Sequence, residues 1–156
     1  MEIVKLPQSV LKKKAEDIIN FDDDLRILAQ RMFVEMEKAD GLGLAAPQIG
    51  ISKNIAVIGY IPTEAKKKKY PDLVEIPKTV LINSRIVWKS KDYALEKEGC
   101  LSIPESEYAV PRAKKIHVEY FDEFGNKKKI KAKGFLARVL QHEIDHLNGT
   151  TISDYE

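Results

Sequence analysis

Near the C-terminal end of the chain runs Gln141-His142-Glu143-Ile144-Asp145-His146-Leu147-Asn148-Gly149, the stretch that most narrows what this sequence can build. Two histidines four residues apart fall on one face of a helix, one turn above each other, so both imidazoles can reach a single ion. Glu143, beside the first of them, is then placed to take a proton from a water held by that ion. Leu136, Leu140, Ile144 and Leu147 recur at helical spacing and predict an adjacent apolar stripe. Gly134 before the run and Gly149 after it bracket a helix of about four turns, with Gly149 suited to the left-handed C′ position. Taken alone, the pattern also fits a core or surface helix that happens to carry two histidines.

A catalytic ion commonly takes three protein ligands and keeps an open water position, so two imidazoles leave such a site one ligand short. Few residues remain after Gly149, and Asp154 and Glu156 are the carboxylates among them. Upstream, Cys100 is the chain's one cysteine and the natural third ligand. It equally fits a small buried apolar residue, and less well a nucleophile paired with His142, which would then lose its ligand role. A single cysteine excludes an internal disulfide and permits a reducing, cytosolic setting.

The remaining sequence reads as support. At 156 residues, 44% hydrophobic and 32% charged, it describes one ordinary globular domain over residues 1–156. No apolar run approaches a membrane span, and no signal-peptide pattern follows Met1. A net charge of +2 is too small to make nucleic acid the main partner, and no specific nucleic-acid recognition is expected. Met1 to Asn20 reads as an arm with a short turn. Asp22, Asp23 and Asp24 supply a cap and an acidic first turn, and Leu25, Leu28, Met32, Phe33 and Met36 make an amphipathic helix ending near Asp40-Gly41. Gly41 to Gly50 carries little side-chain bulk, so its backbone can approach something closely. It is also what a tight connection looks like, and it lacks a phosphate loop's lysine and glycine spacing. Gln48 is its one side chain with a hydrogen-bond donor.

Asn54 to Tyr60 and Thr79 to Trp88 predict strands, joined by a surface excursion over Ile61 to Lys78 whose lysine run is read as solvated. Lys89 to Lys97 leads into Glu98-Gly99-Cys100-Leu101-Ser102-Ile103-Pro104. Lys115 to Phe121 and Lys127 to Lys133 predict a strand pair around a turn at Asp122 to Asn126. The expected fold is α+β: antiparallel β-strands packed around a C-terminal metal-binding helix, with one N-terminal amphipathic helix.

Three stretches, in this order, resemble the motifs of the peptide deformylases. They are the Gly-x-Gly-x-Ala-Ala-x-Gln loop at Gly41 to Gln48, the Glu-Gly-Cys-Leu-Ser segment at Glu98 to Ser102, and the Gln-His-Glu-x-x-His-x-x-Gly helix at Gln141 to Gly149. The resemblance implies an enzyme that removes the formyl group from formyl-methionyl nascent polypeptides and releases formate. It implies Cys100, His142 and His146 as ligands of one divalent ion, ferrous iron in the cell, with zinc, nickel or cobalt as substitutes. Glu143 is the implied general base, with the Gln48 amide and the Leu101 backbone N–H as oxyanion donors. Leu42, Gly43 and Gly99 would pair with an extended peptide, and Phe135 and Val139 would line the methionine pocket.

Asp145 is expected in an ion pair with Arg112, and Ser102 and Glu98 in supporting positions. Glu107 stands where several members of the family place an arginine. The sequence stops at Ile152 to Glu156, where many bacterial members continue into a C-terminal helix, so at most a weak ribosome contact is expected. A cytoplasmic location is implied, with bacterial, phage-encoded and organellar origins left open. A metallopeptidase and a non-catalytic metal-binding module are the competing readings. The missing downstream ligand speaks against the first, and the presence of both Glu143 and Gln48 against the second.

Overall fold

The computed structural model describes residues 1–71 and 74–155. Its first regular helix, α1 (Asp23–Lys38), starts where the acidic run predicts: the Asp22 carboxylate accepts from Leu25 N–H at 3.0 Å. That bond satisfies one of the donors every helix leaves open at its start. Leu25, Ala29, Met32, Phe33 and Met36 are buried on one side of it. Asp40, at φ 54°, turns the chain out of the helix.

Five antiparallel strands follow in the order β1-β2-β3-β6-β7: β1 (Gly43–Ala45), β2 (Ile55–Tyr60), β3 (Ile76–Lys89), β6 (Lys115–Phe121) and β7 (Lys127–Lys133). β2 is buried at every position, because α1 covers one face of the sheet there and the last helix, α3 (Gly134–Leu147), covers the other. A continuous Ile-Ala-Val-Ile run suits a strand enclosed on both sides. β6 instead alternates: Ile116, Val118 and Tyr120 face the core while Lys115, His117 and Glu119 face out. The sheet is therefore covered on both faces at its β1 end and on one face at its β7 end.

A second sheet has two strands, β4 (Tyr93–Cys100) and β5 (Ile103–Ala113), paired from Tyr93 with Ala113 to Gly99 with Glu107. α3 packs between the two sheets, and Leu140, Ile144 and Leu147 are buried as the helical spacing requires, with Leu136 half-buried. Gly149 takes φ 79° just past the C-terminal end of α3, where a Cβ would meet the Lys12 carbonyl at 2.8 Å. The N-terminal arm, with one turn at Ser9–Lys12, thus runs across that end of the helix, and Ala15 N–H donates to Leu147 O at 2.8 Å.

Two sequence readings need correction. Ile103 to Ala113 is a strand, although no alternation marks it. The Ile61–Lys78 excursion is not simply surface: it contains a short helix, α2 (Glu64–Lys69), it delivers Tyr70 onto Tyr60 and Phe135, and its end at Ile76 already belongs to β3. Asp72 and Leu73 of that excursion, and Glu156, lie outside the described residues.

Candidate active site

The face of α3 that carries its histidines opens onto a cleft of about 660 Å³. One wall is the β1 end of the large sheet with Leu42 and Gly43, and the other is β4 with Gly99 and Cys100. Each of these strands is hydrogen-bonded on one side only, so two strand edges face each other across the opening. An added Cβ on Gly99 would meet nothing within 4 Å.

At the floor, Cys100, His142 and His146 bring one ligand atom each to within 4.8 Å of one another. The Cys100 Sγ to His146 Nε2 distance is 3.3 Å. Ligand atoms bound to one tetrahedral ion at ordinary bond lengths stand about 3.5 Å apart, so a thiol and two imidazoles at these separations fit a single ion. The His142 Nδ1 lies 2.8 Å from Glu98 Oε1, which fixes the ring and leaves Nε2 for the ion. Burial opposes charge on His142, but hydrogen bonds to Cys100 and Glu98 outweigh it and push its pKa up to about 10. Burial holds His146 well below its ordinary value, so that ring is neutral and ready to ligate.

Glu98 is the centre of a buried ionic network. Arg112 donates to both its oxygens, from Nε at 3.0 Å and Nη2 at 2.9 Å, and Arg138 donates from Nη1. Arg112 also bonds Asp145, which accepts from the Tyr155 hydroxyl at 2.7 Å. The expected Asp145–Arg112 pair is thus present. Burial alone would raise the Glu98 pKa, but the bonds from His142 and Arg112 outweigh it and hold the group at about 2. A carboxylate depressed in the folded state contributes stability that is complete above its unfolded value of 4.5 and lost as pH falls through 2. The stability difference between the parent and Glu98→Gln should therefore be full above pH 4.5 and shrink as pH falls toward 2, which denaturant titrations followed by circular dichroism would check.

Arg138 and Tyr70 belong to the site but were not found in the sequence. Arg138 also donates to Val110 O at 3.0 Å and Ala94 O at 2.8 Å, tying α3 to both strands of the small sheet. Tyr70 meets Phe135 at 5.9 Å between ring centres. An arginine on the stripe of α3 beside the histidines was the available signal for the first; nothing in the excursion's composition marks the second.

Glu143 is 4% exposed, and its Oε2 has no hydrogen-bond partner among the described residues. Burial pushes its carboxyl up to about 7. Gly43 stands directly against it: a Cβ there would lie 2.6 Å from Oε1. Gly43→Ala should therefore displace the carboxyl group and lower turnover at least tenfold while the melting temperature stays near the parent's, which steady-state kinetics and calorimetry would check.

Gln48 sits in a short turn, Ala46–Ile49, and is buried. Its Oε1 accepts from Ala45 N–H at 3.0 Å, which aims its amide nitrogen at Ser102 Oγ, 3.4 Å away, and Cys100 Sγ, 3.8 Å away. The arm braces both segments from behind, Val4 N–H donating to Gln48 O at 2.6 Å and Leu6 N–H to Ser102 O at 3.1 Å. Leu101 follows Cys100 directly and lines the same cleft. Val139 is buried and Phe135 is 39% exposed, both at the cleft wall. Every residue expected in the site lines one cleft, apart from His146, which lies beneath it.

Two imidazoles and a carboxyl on one helix, set below a groove open to an extended chain, define a metal-dependent hydrolase that acts on peptide-like substrates. Comparison with known proteins gives the family. The polypeptide deformylase family model matches residues 1–155, and the chain belongs to that family. It is 41% identical over 154 residues to a peptide deformylase of Picosynechococcus, covering 99% of this chain and 78% of the relative. The Met-Ala-Ser-bound peptide deformylase of Acinetobacter baumannii superposes with a TM-score of 0.93 at 33% identity, covering 100% of this chain and 98% of the other. The Ehrlichia chaffeensis enzyme in complex with actinonin gives 0.89 at 42% identity, covering 100% and 88%. The protein is thus an enzyme that removes N-terminal formyl groups from formyl-methionyl nascent peptides, in a metal-dependent family. No helix among the described residues is long and apolar enough to cross a membrane.

Proposed function

We propose that residues 1–156 form one catalytic domain in which Cys100, His142 and His146 hold a single divalent ion. Ferrous iron is the ion proposed in the cell, with zinc, nickel or cobalt able to take its place. The observation that carries the ligand set is the convergence of these three donor atoms beside a buried carboxyl group. When bound, such an ion lowers the pKa of a water and polarises a carbonyl.

Glu143 takes the proton of the attacking water and delivers it to the leaving amine, so the formyl C–N bond breaks and formate departs. A pKa of about 7 suits that double duty, since a base and acid near the working pH can serve in both directions. The Gln48 amide and the Leu101 N–H face the formyl oxygen as it gains charge, where preorganised donors stabilise the transition state most. The peptide lies extended between the edges at Leu42 and Gly43 and at Gly99, as an added strand. Its methionine side chain rests on Val139 and Phe135, a thioether suiting irregular apolar space. The work is done in the cytoplasm, with weak contact to the ribosome.

A formyl carbon carries only hydrogen, and Gly43, Gly99 and Cys100 line the cleft closely enough, with Ala45 buried behind them, to close round a group that small. An acetyl group would be held away from the attacking water, and a misplacement near 1 Å costs about a hundredfold in rate. Mass spectrometry should show fast formate release from formyl-Met peptides, much slower reaction of acetyl-Met peptides, and no internal cleavage. Internal cleavage at a comparable rate would make the protein a peptidase instead.

A further inference from the structure

The sheet face opposite α3 is only half covered. α1 closes it over β1, β2 and the first part of β3, where Val80 and Ile82 join the α1 side chains in one buried cluster. Beyond Ile82 the same face of β3, β6 and β7 is open to solvent. On β7 it presents Lys127, Lys129, Lys131 and Lys133, all exposed, because alternate residues of a strand share a face. Their cross-strand neighbours on β6 are Phe121, Glu119, His117 and Lys115 in turn. On β3, Trp88 pairs with His117 and Arg85 with Glu119. The Trp88 ring lies against the His117 ring, 4.7 Å between centres, and is 46% exposed. Partial desolvation lowers the His117 pKa, and the positive charges of Lys131 and Lys129 add to it.

Charge on this face is not balanced. Its one carboxylate, Glu119, is taken by Arg85 at 2.9 Å. Lys115, Lys127, Lys129, Lys131 and Lys133 form no ion pair with any described residue. Lysines on an edge strand deter pairing with other chains. That role does not account for a large aromatic ring left in water on the same face, two strands away across His117.

We propose that this face binds an unpaired RNA segment, with a base stacked on Trp88 and successive phosphates along the lysine row of β7. The lysines follow one another at about 6.7 Å along the strand, so they match a linear polyanion rather than a compact one. A flat aromatic and a basic row on one sheet face, here with one strand and His117 between them, is how single strands are held without sequence readout. A membrane surface would call for several protruding apolar side chains, and an acidic peptide would leave the aromatic platform unused. The small net charge of the chain is no obstacle, since the field that matters is local. The cleft lies on the far side of the sheet, so binding here leaves it open, and the proposal stands independently of the metal-ligand assignment.

Trp88 is the chain's one tryptophan, so its fluorescence reports on the surface directly. Titration of the whole enzyme with a short oligouridylate should quench it, with log K falling against log salt at about −0.7 for each phosphate engaged. The triple change Lys129→Glu, Lys131→Glu, Lys133→Glu should weaken binding more than tenfold with formate release unchanged. Trp88→Ala, read by anisotropy of a labelled oligouridylate, should weaken it about 5- to 150-fold, again at parent turnover and with a parent circular dichroism spectrum. No quenching, binding indifferent to salt, or equal binding by the lysine-reversed variant would overturn the proposal. So would equal quenching by polyglutamate or by anionic lipid vesicles at the same charge concentration.

Discussion

Replacing Cys100 by alanine is expected to strip the site of its ion and abolish formate release. The thiol is the one proposed ligand outside α3, and it stands at the end of β4, 3.3 Å from His146 on the helix floor. Its loss leaves two imidazoles, one of them neutral through burial and the other prone to stay protonated. Affinity should fall by more than the roughly 10- to 100-fold that follows loss of an outer partner of a ligand. Because His142, with a pKa pushed to about 10, must give up a proton to ligate, ion uptake by the parent should release protons and strengthen as pH rises. Elemental analysis of the purified variant, with a formate assay, tests this directly. Full occupancy at normal turnover would remove Cys100 from the ligand set.

The parts of the molecule that were legible in the sequence are those whose burial is one-sided or complete. α1 and α3 announce themselves by apolar spacing and by Asp22 and Gly149 at their ends, and β6 by its alternation. β5 does not, since it lies in a two-stranded sheet with most of its residues in water. Glu105 and Glu107 are exposed, and burial alternates only from Tyr108 to Arg112, where the inward side chains include an arginine and the outward ones an alanine and a proline, so hydrophobicity does not reveal it. The candidate constellation was legible because chemistry restricts residue type as well as spacing: a thiol at the end of one strand, and two imidazoles and a carboxyl on one helix. Its supports were less so. Glu98 read only as a supporting residue, with no sign of its partners; it positions His142 while holding Arg112 and Arg138. Arg138 was not singled out at all. Which arginine reaches a buried carboxylate depends on how α3 is rotated against β4 and β5, and that rotation is set by the packing of Leu140 and Ile144. Tyr70 depends on the path of a loop whose composition says only that it bends.

Glu143→Ala should keep the ion and lose the chemistry. The side chain is no ligand, so metal content should match the parent, while turnover falls about 10²–10⁴-fold, the range of one general acid–base contribution. The same change should stabilise the fold. Glu143 is buried with Oε2 unpartnered, and its carboxyl is raised from 4.5 to about 7 by burial. A carboxylate raised in the folded state opposes folding once it must ionise: the penalty is absent below pH 4.5 and complete above about 7. With the ion removed by chelation, the alanine variant should therefore gain stability over the parent as pH rises from 4.5 to 8, by on the order of 3 kcal/mol. Denaturant titrations at those two pH values measure it. The two results bear on one cause. A carboxyl group kept out of water at a cost to the fold, and against Gly43 where no larger residue fits, is held there for its proton. Turnover that survived its removal would leave that cost without a function.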